Sequence, residues 1–194
     1  MINIEFLRSQ GYITIEPVKR KMTHEEVRFN LYGYFEHYPK FDFWFVQYPD
    51  ERVEVSRDNI EGNVFGKCKL GYFLEDINGV IRLIAADKNF GEDEGLTLPD
   101  LIQINKDIQK FYKCYMVFLA AVYYLKSQIF DSNEFYMINL EKTCKDLQRR
   151  LAQINDNCVS DDSFWGLLIY MLEDSYFPIS LHLWDYTQAG KIDY

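Results

Sequence analysis

Between Leu101 and Leu125 the apolar residues Leu101, Ile104, Ile108, Phe111, Tyr115, Phe118, Val122 and Leu125 follow one another at intervals of three or four. That spacing stacks side chains on one face of an α-helix, and it predicts a long helix from Leu101 to about Ser127. Met116, Leu119, Ala120 and Ala121 make the second half apolar on nearly every side. That half is therefore expected at the centre of a domain, with sheet on one side and helices on the other. Its uninterrupted apolar run, Tyr115 to Leu125, is too short for a bilayer, which needs about 20 residues. No membrane partner is expected.

A second local signal lies just upstream. Leu70 to Ala85 reads as two strand-like runs joined at Asn78-Gly79, a pair that accepts the positive φ angles of a tight type I′ turn. An antiparallel hairpin is predicted there. Tyr12 to Glu16 alternates like a strand and stops at Pro17, Ile4 to Ser9 suits a short helix, and Val18 to Glu26 reads as a charged surface excursion. Aromatic residues crowd Phe29 to Tyr48, where β-propensity favours strands. Further helices are expected over Leu140 to Ile154 and after Ser160-Asp-Asp-Ser, whose short oxygen-bearing side chains suit a helix start. Leu140, Cys144, Leu147, Leu151 and Ile154 would face inward on the first. Phe164, Trp165, Leu168, Met171 and Leu172 would do so on the second. Ile179 to Trp184 alternates and suits a last strand.

No repeat or Pro/Gly/Ser-rich linker interrupts the 194 residues. The reading is an α+β fold over 1–194 as a single domain: a mainly antiparallel sheet of four or more strands, packed by a long central helix and C-terminal helices. A chain of this length buries roughly 70% of its unfolded surface. It needs neither disulfides nor metal to hold a core, and Cys68, Cys114, Cys144 and Cys158 are too far apart for a C-x-x-C motif. Reduced, mostly buried thiols in a cytoplasmic protein are expected. The carboxylate of Glu5 stands where a signal peptide needs a basic start.

The chemistry searched for is not assembled. His24, His37 and His182 belong to no metal-ligand spacing, and the chain lacks G-x-S-x-G, a P-loop and G-x-G-x-x-G. Asp87, Asn89 and Asp93 stand at the first, third and seventh places of a calcium loop, with Gly91 at the fifth. Glu92, however, stands where an EF-hand needs its turn glycine, and Leu98 where it needs its closing glutamate. No catalytic, cofactor-binding or metal residue is predicted, and no cofactor.

With 30 acidic against 21 basic residues the net charge is −9, which repels phosphate backbones and excludes non-specific binding to nucleic acid. Glu92, Asp93 and Glu94 form one acidic stretch. Asp161 and Asp162 lie in another, since Leu151 to Gly190 contains no Lys or Arg. These five residues are the predicted partner-binding positions, suited to a basic protein.

The order of parts resembles the SUKH superfamily, in particular its bacterial immunity-protein branch. The similarity rests on Leu70-Gly71-Tyr72 entering the hairpin, on Asn78-Gly79, on the acidic loop, and on Ile104 to Phe111 at a helix start. Asp162-Ser-Phe-Trp165 opening the C-terminal helix completes it. It covers about residues 65–175. Two departures stand out: Lys106-Asp107 occupies a place where small hydroxyl residues are typical, and a single Trp165 follows Phe164 where the family has paired aromatics. The resemblance implies an α+β domain that neutralises a toxin, often a nuclease or deaminase, by binding it. Two other readings stay open: an enzyme or small-molecule binder using the aromatic 29–48 region, and a regulatory scaffold like the related fungal cell-wall regulators.

Overall fold

The computed structural model describes residues 2–15, 18–19, 51–68, 70–86, 100–127, 133–156, 158–160 and 163–173. It is α+β with an antiparallel sheet of more than four strands, as the sequence predicts. The chain divides into two compact units, Met1–Ile108 and Gln109–Tyr194. Phe29 to Tyr48 and Ile179 to Trp184 lie outside the described residues.

The first unit opens with helix α1 (Ile4–Ser9), whose N-cap Asn3 accepts a hydrogen bond from the Phe6 N–H at 3.0 Å. Strands β1 (Ile13–Thr14), β2 (Val18–Lys19), β3 (Glu51–Arg57), β4 (Ile60–Cys68), β5 (Gly71–Asp76), β6 (Ile81–Ala85) and β7 (Leu101–Asn105) follow. They pair antiparallel in the order β1-β3-β4-β5-β6-β7, and β2 also pairs with β3. Val18–Lys19, expected as a surface excursion, is thus a short strand. Alternation sends Val53, Val55, Val64, Leu74 and Ile84 to one face, where they bury against Ile2, Leu7 and Tyr12. In β4 the register shifts between Val64 and Gly66, a bulge that brings buried Phe65 within 6.1 Å of the Phe73 ring.

The hairpin β5–β6 is where the sequence places it, but its turn is of another kind. Type I′ needs positive φ at both central residues; Gly79 has φ 78°, whereas Asn78 is not among the positive-φ residues. The Gly79 N–H donates to the Asp76 carbonyl at 2.8 Å and the Asp76 N–H to the Val80 carbonyl at 3.0 Å. This makes a three-residue loop with glycine in the left-handed position. The Asp76 side chain decides the matter: Oδ1 accepts from the N–H groups of Asn78 (2.9 Å) and Val80 (3.0 Å), and Oδ2 from Arg82 Nε at 2.9 Å.

Leu101–Asn105 is strand β7, not the first turns of a helix. Its buried Ile102 and Ile104 flank exposed Gln103, and the ladder to β6 runs Leu83↔Ile102 and Ile84↔Leu101. The three-four spacing of Leu101 and Ile104 is a coincidence of that strand with the helix behind it. Helix α2 (Ile108–Ser127) begins after Asp107, a short carboxylate suited to a helix start. From there the predicted face holds, with Phe111, Tyr115, Phe118, Val122 and Leu125 all buried.

The second unit joins α2 to α3 (Asn133–Ile154) and α4 (Phe164–Glu173), and α3 packs on α4. Helix α3 starts seven residues before its predicted beginning, with Leu140, Cys144, Leu147 and Leu151 buried and Ile154 half-buried. Ser163 caps α4: its Oγ accepts from the Gly166 N–H at 3.0 Å and donates to the Cys158 carbonyl at 2.6 Å. A Cβ on Gly166 would lie 2.1 Å from the Ser160 carbonyl oxygen, so only glycine lets this turn close. Trp165 is fully buried, with ring centroids of Phe164, Tyr115, Phe118 and Phe111 at 5.0, 5.8, 6.0 and 6.2 Å.

Two stability outcomes follow. Trp165→Ala removes the centre of the aromatic cluster and lowers unfolding free energy by roughly 3 to 5 kcal/mol in denaturant titration. A near-neutral result contradicts the packing. Asp76→Ala strands two backbone donors and the Arg82 guanidinium and costs about 2 to 3 kcal/mol, whereas exposed Asn78→Ala costs less than half of that. Equal losses for the two contradict the role given to the Asp76 carboxylate.

Candidate functional site

The residues predicted to meet a partner, Glu92, Asp93, Glu94, Asp161 and Asp162, lie outside the described residues, as do all three histidines. A different acidic surface is described on the sheet. It begins where α1 hands the chain to β1. The Tyr12 ring points inward under the Arg57 guanidinium, whose carbon lies 4.8 Å from the ring centroid. Arg57 Nη1 also donates to the Gln10 carbonyl at 2.8 Å. Burial raises the Tyr12 phenol above its ordinary value of 10.0, with the Arg57 charge pulling the other way. Arg8 Nε donates to Thr14 Oγ1 at 2.9 Å.

With Tyr12 held inward, the pleat forces its neighbours out. Ile13 is 72% and Ile15 56% exposed. The register Ile13↔Ser56, with the Ile15 N–H donating to the Glu54 carbonyl at 3.0 Å, sets both isoleucines beside the outer residues of β3. Across β3 and β4 the pairs Glu54↔Asn63 and Ser56↔Glu61 extend that face. Ile77, at the hairpin tip and 72% exposed, is drawn to it by its N–H donating to the Glu61 carbonyl at 2.9 Å.

Together these residues line a shallow depression of about 350 Å³ with Ile13, Ile15 and Ile77 around it, exposed Glu54 and Glu61 beside them, and no Lys or Arg among its described lining. Arg52, farther along the same face, is engaged by Glu75 at 3.0 Å and lies 5.7 Å from the Phe65 ring centroid. Three exposed isoleucines gain by leaving water, and two carboxylates fix the sign of charge that sits beside them. Among the described residues no group of three or more His, Cys, Asp or Glu gathers as a metal site would require.

A signal for this surface exists in the sequence. Ile77 is a large apolar residue in a turn next to Asn78-Gly79, where nothing in the turn calls for it. The alternation of Tyr12, Ile13, Thr14 and Ile15 shows that two faces exist but not which one is buried.

The chain matches no family model, no curated protein and no solved structure. Among the described residues no helix is long and apolar enough to cross a membrane.

Because Ile13 and Ile77 do not contribute to the core, changing both to Ser leaves stability within about 0.5 kcal/mol and reduces fluorescence of a hydrophobic dye bound to the folded protein. A clear loss of stability contradicts their outward placement.

Proposed function

We propose that this chain is an immunity protein: a cytoplasmic, non-enzymatic domain that binds and neutralises a basic toxin, such as a nuclease or deaminase of a bacterial toxin system. The observation that carries the reading is the outer face of β1, β3 and β4, where Ile13, Ile15 and Ile77 accompany Glu54 and Glu61 with no Lys or Arg among the described lining. A nucleic-acid-cleaving toxin holds phosphates and so tends to carry positive charge. A face of isoleucines with flanking carboxylates complements it by burying apolar area and by steering approach. The net charge of −9 adds a long-range attraction of the same sign. The similarity of residues 65–175 to the SUKH immunity branch supports the same reading.

The acidic stretches Glu92 to Glu94 and Asp161-Asp162 belong to the proposal as further contributors to the field. The reading expects a toxin domain encoded beside this gene, and the purified pair provides the test. Glu54→Lys with Glu61→Lys slows association roughly tenfold at low salt and flattens its salt dependence, since steering acts through the on-rate. Glu92→Lys, Glu94→Lys and Asp161→Lys, made together, slow it as well, and thermal melting stays unchanged for both variants. Association that ignores both reversals refutes electrostatic recognition. A neighbouring toxin that is not bound at all refutes the immunity reading.

A further inference from the structure

The second unit holds a larger concavity, about 850 Å³, between α2 and α3. The stretch of α2 predicted to be buried on nearly every side is in fact open here: Met116 is 41% and Tyr124 48% exposed, and Ala120 is exposed between them. These three recur every four residues and, with Val117 and Ala121, make an apolar floor that runs about 12 Å along the helix. The two alanines keep that floor low, where larger side chains would close it.

The facing wall has a different chemistry. Lys142, Lys145, Arg149 and Arg150 of α3 line it, and Asp146 is the one carboxylate among its described lining. Asp146 pairs with both Arg149 and Arg150, and Glu141 with Lys145, so the cations are held along the rim by i,i+3 and i,i+4 contacts. Among the described residues, two carboxylates stand against four cations and leave the rim positive, on a chain whose net charge is −9. A concentration of positive charge beside an apolar trough selects a ligand with an apolar body and a negative head.

We infer that the groove between α2 and α3 binds a small amphipathic anion, a medium-chain fatty carboxylate, with its methylene chain on Met116, Ala120 and Tyr124 and its carboxylate among Lys142, Lys145, Arg149 and Arg150. The volume lies in the range of small-molecule sites, roughly 300 to 1,000 Å³, and the length of the floor suits a medium run of methylene groups. A carboxylate at the rim joins Lys145, Arg149 and Arg150, whose partners Glu141 and Asp146 are exposed and half-exposed, so binding disrupts no buried ion pair. This site is independent of the sheet face proposed for the toxin.

The test titrates the full chain with dodecanoate below its micelle concentration, by calorimetry and by the methyl resonance of Met116. Dodecyltrimethylammonium and a synthetic acidic amphipathic peptide serve as comparators. Dodecanoate binds one equivalent and shifts Met116, while the cationic amphiphile does not. Ala120→Trp, which fills the groove from an exposed position, weakens binding at least tenfold, and Lys142→Glu with Arg149→Glu weakens it roughly tenfold, both with unchanged thermal melting. Absence of dodecanoate binding, equal binding of the cationic amphiphile, or indifference to Ala120→Trp overturns the assignment. So does binding of the peptide alone, which makes the groove a protein-docking surface instead.

Discussion

Strand β3 is the constraint on which the first unit depends. It is hydrogen-bonded to β1, β2 and β4, so its alternation is imposed on each of them. Val53 and Val55 turn to the core under α1, and Glu54 and Ser56 turn away. A one-residue slip would invert every one of these assignments. The register is secured from both sides: Arg57 ties the strand to Gln10 and Tyr12, and Val53↔Val64 and Val55↔Gly62 tie it to β4. Ile13 and Ile15 are outside because the buried Tyr12 sets the alternation of the strand.

The hairpin and the C-terminal helix were legible because their signals are local. Asn78-Gly79 marks the turn and Ser163 the cap, and both need only a few neighbouring residues to act. The turn type was not legible, since it depends on where the Asp76 carboxylate goes: to Asn78, Val80 and Arg82 at once. The start of α2 is hidden in the sequence for a related reason. Leu101 and Ile104 satisfy a helical period and Ile102 and Ile104 a strand period, and pairing with β6 selects the strand. Five acidic residues chosen for their charge fall outside the described residues. Glu54 and Glu61 lie among charges of both signs in the sequence, and the pairing of β3 with β4 and β1 sets them beside the isoleucines.

Charge and apolar exposure coincide at two places with opposite sign. In the first unit isoleucines accompany glutamates; in the second, Met116, Ala120 and Tyr124 accompany lysines and arginines. Each pairing restricts what binds more than either property alone would, because apolar area supplies affinity with little discrimination while charge excludes partners of like sign.

The outer face of β1, β3 and β4 is the proposed landing place of a basic protein partner. Isoleucine δ1-methyl spectroscopy reads that face directly, because three of its residues are isoleucines and others, such as Ile81 and Ile84, are buried references. On addition of the toxin domain the Ile13, Ile15 and Ile77 methyl resonances shift or broaden together, and those of Ile81 and Ile84 hold still. Saturating binding that leaves Ile13, Ile15 and Ile77 unmoved places the partner elsewhere and contradicts recognition by this face.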